Sequence, residues 1–334
     1  MNKLQDVVIV RTISIIGVVA FHAYGMMCAS AHFPATQQVY NDIYFRINQC
    51  GFINIAMPLF VFISGYLFSF LLLKGKYVSY MELLKNKSTR LIIPYLFFTV
   101  IMMLTTNNFS WRPLYAGGYW HLWYIPMLLW CFVICYPIHK IARDNLLIKF
   151  LFLSLFLCLY FIPPSEFPLF GIKNLNPNIC WFYLGYMFFP YREKIIQIIA
   201  KYYLALPLLI IYVMSNVLYV NKYGDYSLSS IISSFSGLVL LWFIINKVIA
   251  VKSKIADITI IKEIDKTSFG IYIFHNWFQM YMISRTAQNI LPLEQWAADH
   301  VVLFPLLFFI SSFILSYIAT KITLKTHIGR FLIG

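Results

Sequence analysis

The stretch VVIVRTISIIGVVAFHAYGMM, residues 7–27, decides what kind of protein this is. It is long and apolar enough to cross a hydrocarbon core of about 30 Å as a single helix. It also carries Arg11 and His22. An arginine at the centre of a membrane helix costs roughly 2.5–3.5 kcal/mol on insertion scales, so a span that keeps both residues has a use for them. At 100° per residue the two fall within about 20° of one helix face, with a rise of ~16 Å between them. Ser14 lies near the same face. Taken singly, Arg11 reads as a snorkelling anchor and His22 as a bonded interfacial histidine. Sharing a face, they read as the lining of a cavity.

Outward from this span, the chain has 334 residues, 61% hydrophobic, 19% aromatic and 11% charged. A soluble domain carries about 25% charged residues. Apolar runs recur at 7–27, 51–73, 90–106, 120–138, 146–162, 177–191, 202–220, 228–250, 268–284 and 301–320. The expected fold is therefore all-α, a polytopic membrane protein of about ten transmembrane helices, in one domain over 1–334 without a soluble appendage. Arg11 interrupts the first apolar run and no small-residue cleavage site follows, so it reads as a retained helix rather than a signal peptide.

Basic residues set the orientation. With the N-terminus inside, 21 of the 26 Lys and Arg fall on the cytoplasmic side, leaving Arg46, Arg112, Lys173, Lys222 and Arg285 outside. The acidic residues divide seven to five. Both termini are then cytoplasmic. The net charge of +14 would point to nucleic acid in a soluble protein, but here it is the inside-positive bias of a membrane protein. Of the six cysteines, Cys28 and Cys50 bracket one short loop and are a candidate disulfide; the rest read as small hydrophobes. The longest polar connection, 251–267, reads as a cytoplasmic loop with a surface helix, and 107–119 (NNFSWRPLYAGGY) as an outer loop rich in aromatics, Gly and Pro.

The ninth span, TSFGIYIFHNWFQMYMIS, repeats the message of the first. Ser268, Tyr272, His275 and Gln279 are spaced by 4, 3 and 4, one polar stripe on an apolar helix. Polar groups in spans turn toward the bundle interior. Two helices with histidine-bearing stripes argue for a cavity between them. In the second span Ser64-Gly65 allows close helix approach, and Pro58 and Pro94 are candidate kinks. Lys87 and Arg90 share a face at the inner end of the third span, as ordinary anchors or as an anion clamp. Trp120, His121, Trp123 and Tyr124 open the fourth span, where an aromatic belt explains the rings but not the histidine. No His-x3-His, HExxH or CxxC spacing is present, so no metal site is expected.

Six segments occur in order along the whole chain: Arg11-x10-His22, FVFISGYLF, Lys87-x2-Arg90-x3-Pro94, HLWYI, FYLGYMFF at 182–189 and SFGIYIFH. Together they resemble the acyltransferase 3 family of bacterial integral-membrane O-acyltransferases, and within it the single-domain branch that modifies surface polysaccharides. The resemblance implies transfer of an acyl group, usually acetyl from acetyl-CoA, to a hydroxyl of an extracytoplasmic or lipid-linked glycan at the bacterial cytoplasmic (inner) membrane. It implies an essential His22 with Arg11 as its partner, and maps the family's basic pair to Lys87 and Arg90. Many relatives carry a Glu in the fourth span where this chain has Leu128, so any role of that acid does not transfer.

On this reading His22 is the base for the acceptor hydroxyl or, alternatively, an acyl carrier. Lys87, Arg90 and Arg11 bind acetyl-CoA, His275 and Tyr272 complete the catalytic group, and His121, Trp123, Tyr124 and Gln279 contact the acceptor. The expected partners are acyl-CoA, glycan and membrane lipid, with no nucleic acid. The rival class is a transporter or flippase for a lipid-linked or anionic solute, which intramembrane Arg and His also fit. Against it stands the lack of an internal repeat or paired broken helices.

Overall fold

A computed structural model describes residues 5–29, 55–107, 109–163, 169–221, 226–252, 254–281 and 299–334. Among them are ten helices of 15 residues or more: α1 (Gln5–Ala29), α2 (Ala56–Leu73), α3 (Tyr80–Thr105), α4 (Tyr124–Ala142), α5 (Leu146–Tyr160), α6 (Asn176–Ile199), α7 (Tyr202–Val220), α8 (Tyr226–Val251), α9 (Thr259–Tyr281) and α10 (Leu303–Lys325). A short C-terminal helix, α11 (His327–Ile333), packs on α10. No strand occurs among the described residues. Each expected span coincides with one of the ten helices. Seven helices are long and apolar enough to cross a membrane by length and composition: α1, α2, α3, α4, α7, α8 and α10. The remaining three have plain reasons to fall short. Helix α5 has 15 residues, α6 carries Arg192, Glu193 and Lys194 within its second half, and the first turns of α9 carry Lys262, Glu263, Asp265 and Lys266.

Several boundaries differ from the sequence reading. Helix α3 starts at Tyr80, ten residues before the expected span, because Ser79 and Glu82 form an N-terminal cap. Ser79 accepts from the Glu82 amide at 3.1 Å, and Glu82 accepts from the Val78 amide at 3.0 Å. Helix α9 likewise starts inside the expected loop 251–267. Pro58 lies in the first turn of α2, where no internal hydrogen bond is lost, so it is not a kink; Pro94 is interior to α3. Cys50 of the candidate disulfide lies outside the described residues.

Contacts divide the chain into two compact units, one of residues 1–59 and 196–334, the other of residues 60–195. In the first, α1 packs against α9, α10 and α8, α9 against α10, and α7 against α8. Arg11 meets Asp265 and His22 meets His275, so α1 and α9 run in the same direction. Glu263 meets Lys321 and Gln279 meets Ser312, so α10 runs opposite to α9. In the second unit α4 packs on α3 and α5. There α2 and α6 cross at two glycines: a Cβ on Gly65 would overlap the Phe182 carbonyl, and one on Gly185 the Phe62 carbonyl. Small residues let helix backbones approach this closely where no hydrophobic drive separates lipid from helix.

Candidate functional site

The first unit places one predicted stripe against the other. Arg11 and His22 both face α9, as their spacing requires. Arg11 Nε donates to Asp265 Oδ1 at 2.7 Å, and Nη2 lies 2.6 Å from the same oxygen. One face further along, the His22 and His275 rings meet with centroids 5.1 Å apart and planes at 52°. The Tyr272 ring lies 5.8 Å from that of His275. Ser268, Tyr272, His275 and Gln279 are all buried, as is Ser14. Close approach to α10 on the other side of α9 depends on Gly270, whose added Cβ would strike the Thr320 side chain.

His275 is fixed in its tautomer by α9 itself. Its Nδ1 lies 2.7 Å from the Tyr272 carbonyl and 3.2 Å from that of Ile271. Carbonyl oxygens only accept, so Nδ1 carries a proton and donates to them. Gln279 acts as a clasp. Its Nε2 donates to the Val19 carbonyl of α1 at 3.2 Å and to Ser312 Oγ of α10 at 3.1 Å, while Oε1 meets no donor among the described residues.

The second unit holds the other predicted residues in two places. Toward the start of α3, Lys87 turns its ammonium over the Phe132 ring at 3.7 Å and the Tyr77 ring at 5.5 Å. Arg90 is exposed. Among the described residues neither cation pairs with a carboxylate, and the Lys87 side-chain nitrogen rests on aromatic faces. At the other end of α4, a 3-10 turn, Trp120–Trp123, leads into the helix. His121 is buried, Trp123 half-buried, and Tyr124 OH lies 3.0 Å from Ser64 Oγ. Tyr124 and Phe132 stand ~12 Å apart along α4, so the Lys87 group and the His121 group are separate features of this unit. Leu128 is buried between them in sequence.

Sequence reasoning missed Asp265. It was read as part of a polar loop, although its position three residues before Ser268 extends the ninth-span stripe by one step. No group of three or more His, Cys, Asp or Glu able to hold a metal occurs among the described residues.

Comparison with curated proteins and with solved structures gave no match. A family model described as an acyltransferase domain matches residues 5–321. That range takes in Arg11, His22, Lys87, Arg90, Asp265 and His275 and nearly the whole chain, and so this multi-pass helical protein belongs to the acyltransferase 3 family.

Proposed function

We propose that the protein is an O-acyltransferase that takes an acyl group, acetyl first among the choices, from cytoplasmic acetyl-CoA. The acceptor is a hydroxyl on an extracytoplasmic or lipid-linked polysaccharide sugar at the bacterial inner membrane. One observation carries this reading: two histidines face each other across a buried helix seam in a chain of an acyltransferase family. Sidedness rests on the charge distribution, which puts Lys87 and Arg90 inside and His22 toward the outside.

Transfer to a sugar hydroxyl needs a base near working pH, and imidazole supplies one. His22 takes the hydroxyl proton as the sugar oxygen bonds to the thioester carbonyl carbon. The C–S bond then breaks, and the proton passes to the departing CoA sulfur. In the two-step alternative His22 first carries the acyl group itself. The oxyanion takes a hydrogen bond from Tyr272 or from His275, whose rings stand 5.8 Å apart. Lys87 and Arg90 bind the coenzyme phosphates. His121, Trp123 and Tyr124 offer rings and polar edges to the glycan.

The test uses purified protein in liposomes with radiolabelled acetyl-CoA, following CoA release with and without extracted glycan lipid. Wild type should release CoA only with acceptor, and Lys87→Ala/Arg90→Ala should raise the KM for acetyl-CoA about tenfold with a smaller change in kcat. Label held on wild-type protein without acceptor would select the acyl-histidine route. If wild type releases no CoA from acetyl-CoA or succinyl-CoA, the reading fails.

A further inference from the structure

Arg11 has five N–H donors in a planar fork with two edges, each able to make a parallel pair of hydrogen bonds to a carboxylate or phosphate. Asp265 occupies one edge: Nε and Nη2 both reach Oδ1, at 2.7 and 2.6 Å. The second edge, Nη1 and the outer hydrogen of Nη2, bonds to nothing among the described residues, and the Arg11 side chain keeps 32% of its exposure while Asp265 keeps 6%. The carboxylate is thus the buried, fixed partner and the guanidinium is the one that looks outward. Asp265 is itself held, since α9 is clasped to α1 by Gln279 donating to the Val19 carbonyl at 3.2 Å, and Thr12 Oγ1, which shares its one proton between the Val8 carbonyl at 2.8 Å and the Ile261 carbonyl at 3.3 Å, adds a weaker contact. On α9 these two contacts, at Ile261 and Gln279, bracket Asp265 and His275; on α1 they fall between Arg11 and His22.

We infer that Asp265 is a positioning residue for acyl transfer: it orients the Arg11 guanidinium so that its second edge takes a phosphate oxygen of the acyl-CoA donor. This rests on the acyltransferase reading above. The spacing supports it. Arg11 and His22 share a face with a rise of ~16 Å, comparable to the extended arm that joins the thioester of CoA to its diphosphate. With the thioester at His22, the diphosphate end reaches the depth of Arg11. The chemistry also supports it, because a lone arginine in this seam would swing among its rotamers, whereas one pinned along an edge meets an anion already aligned. Asp265 touches neither substrate nor reacting atoms; it acts through Arg11.

The test measures three quantities on reconstituted protein: the Kd for CoA, and kcat and KM for acetyl-CoA transfer. Asp265→Asn keeps the size and removes the charged acceptor. It should weaken CoA binding and raise KM about tenfold, with kcat changed less than threefold. Asp265→Glu should recover most of that affinity. Arg11→Lys, which lacks the fork, should show the same loss, and Arg11→Lys/Asp265→Asn should be no worse than either single variant. A merely structural role would instead lower the melting midpoint and leave the Kd of the folded fraction unchanged. If Asp265→Asn does not fold, Asp265→Glu and Arg11→Lys carry the comparison. Affinity within twofold of wild type in the folded variants, or losses that multiply in the double variant, would overturn the inference while leaving the acyltransferase reading intact. Wild type that neither binds CoA nor turns over acetyl-CoA would overturn both.

Discussion

Gln279 and His275 show how polar side chains are kept in an apolar seam. Neither has measurable exposure, and each satisfies its donor locally, Gln279 on neighbouring helices and His275 on its own helix's carbonyls. Replacing Gln279 with Leu removes two hydrogen bonds between helices and should lower stability by about 1–2 kcal/mol, read as a drop in the melting midpoint in detergent. His22→Ala should behave in the opposite way, folding and melting like wild type while transfer falls by at least about 10²-fold, the lower end of what a general base contributes. The stripe residues were legible because helical periodicity needs nothing but spacing. Asp265 was not, since a carboxylate among lysines reads as solvated loop until a partner 254 positions away in the chain is known to neutralise it.

At the level of helices, hydropathy located all ten segments but placed their ends badly wherever a helix continues into charge. Helix α3 gains its extra turns from the Ser79–Glu82 cap, and the first turns of α9 carry ion pairs that composition hides, of which only Arg11–Asp265 has a buried partner. Lys262 pairs with Asp257 at 2.8 Å and Lys321 with Glu263 at 2.6 Å. These exposed pairs contribute little, so Lys321→Ala should leave the melting midpoint close to that of wild type. Glu263 has its carboxyl held below the usual range by the Lys321 ammonium. Its small contribution is therefore present above the ordinary carboxylate pKa and is lost as pH falls through the lowered value. The α2–α6 crossing is the contrasting case. Gly185→Leu would drive a side chain into the Phe62 carbonyl and should abolish folded protein in a detergent extract, as judged by size-exclusion chromatography. Gly75, at φ +69° with open space around it, should accept Ala at about 1 kcal/mol of backbone strain and full activity.

Across the whole molecule, the charge ledger predicts that both termini are cytoplasmic. A reporter fused after Gly334 should accordingly be active only when it is one that works in the cytoplasm, and a cysteine at position 118 in a cysteine-free background should label only from outside. The division into two contact units was not legible from the sequence, because hydropathy locates spans without saying which pack together. Composition could likewise show that Lys87 is basic and near the membrane edge, but not that its ammonium rests on Phe132 and Tyr77, residues brought to it only by packing. The central claim is that an acyl group passes from cytoplasmic acyl-CoA to a glycan hydroxyl through His22. Its most direct measurement supplies radiolabelled acetyl-CoA to the cytoplasmic face of proteoliposomes carrying the glycan lipid, and counts base-labile label on that lipid for wild type and His22→Ala. The account predicts ester-linked label with wild type and none above background with His22→Ala; equal labelling by the two proteins would contradict it.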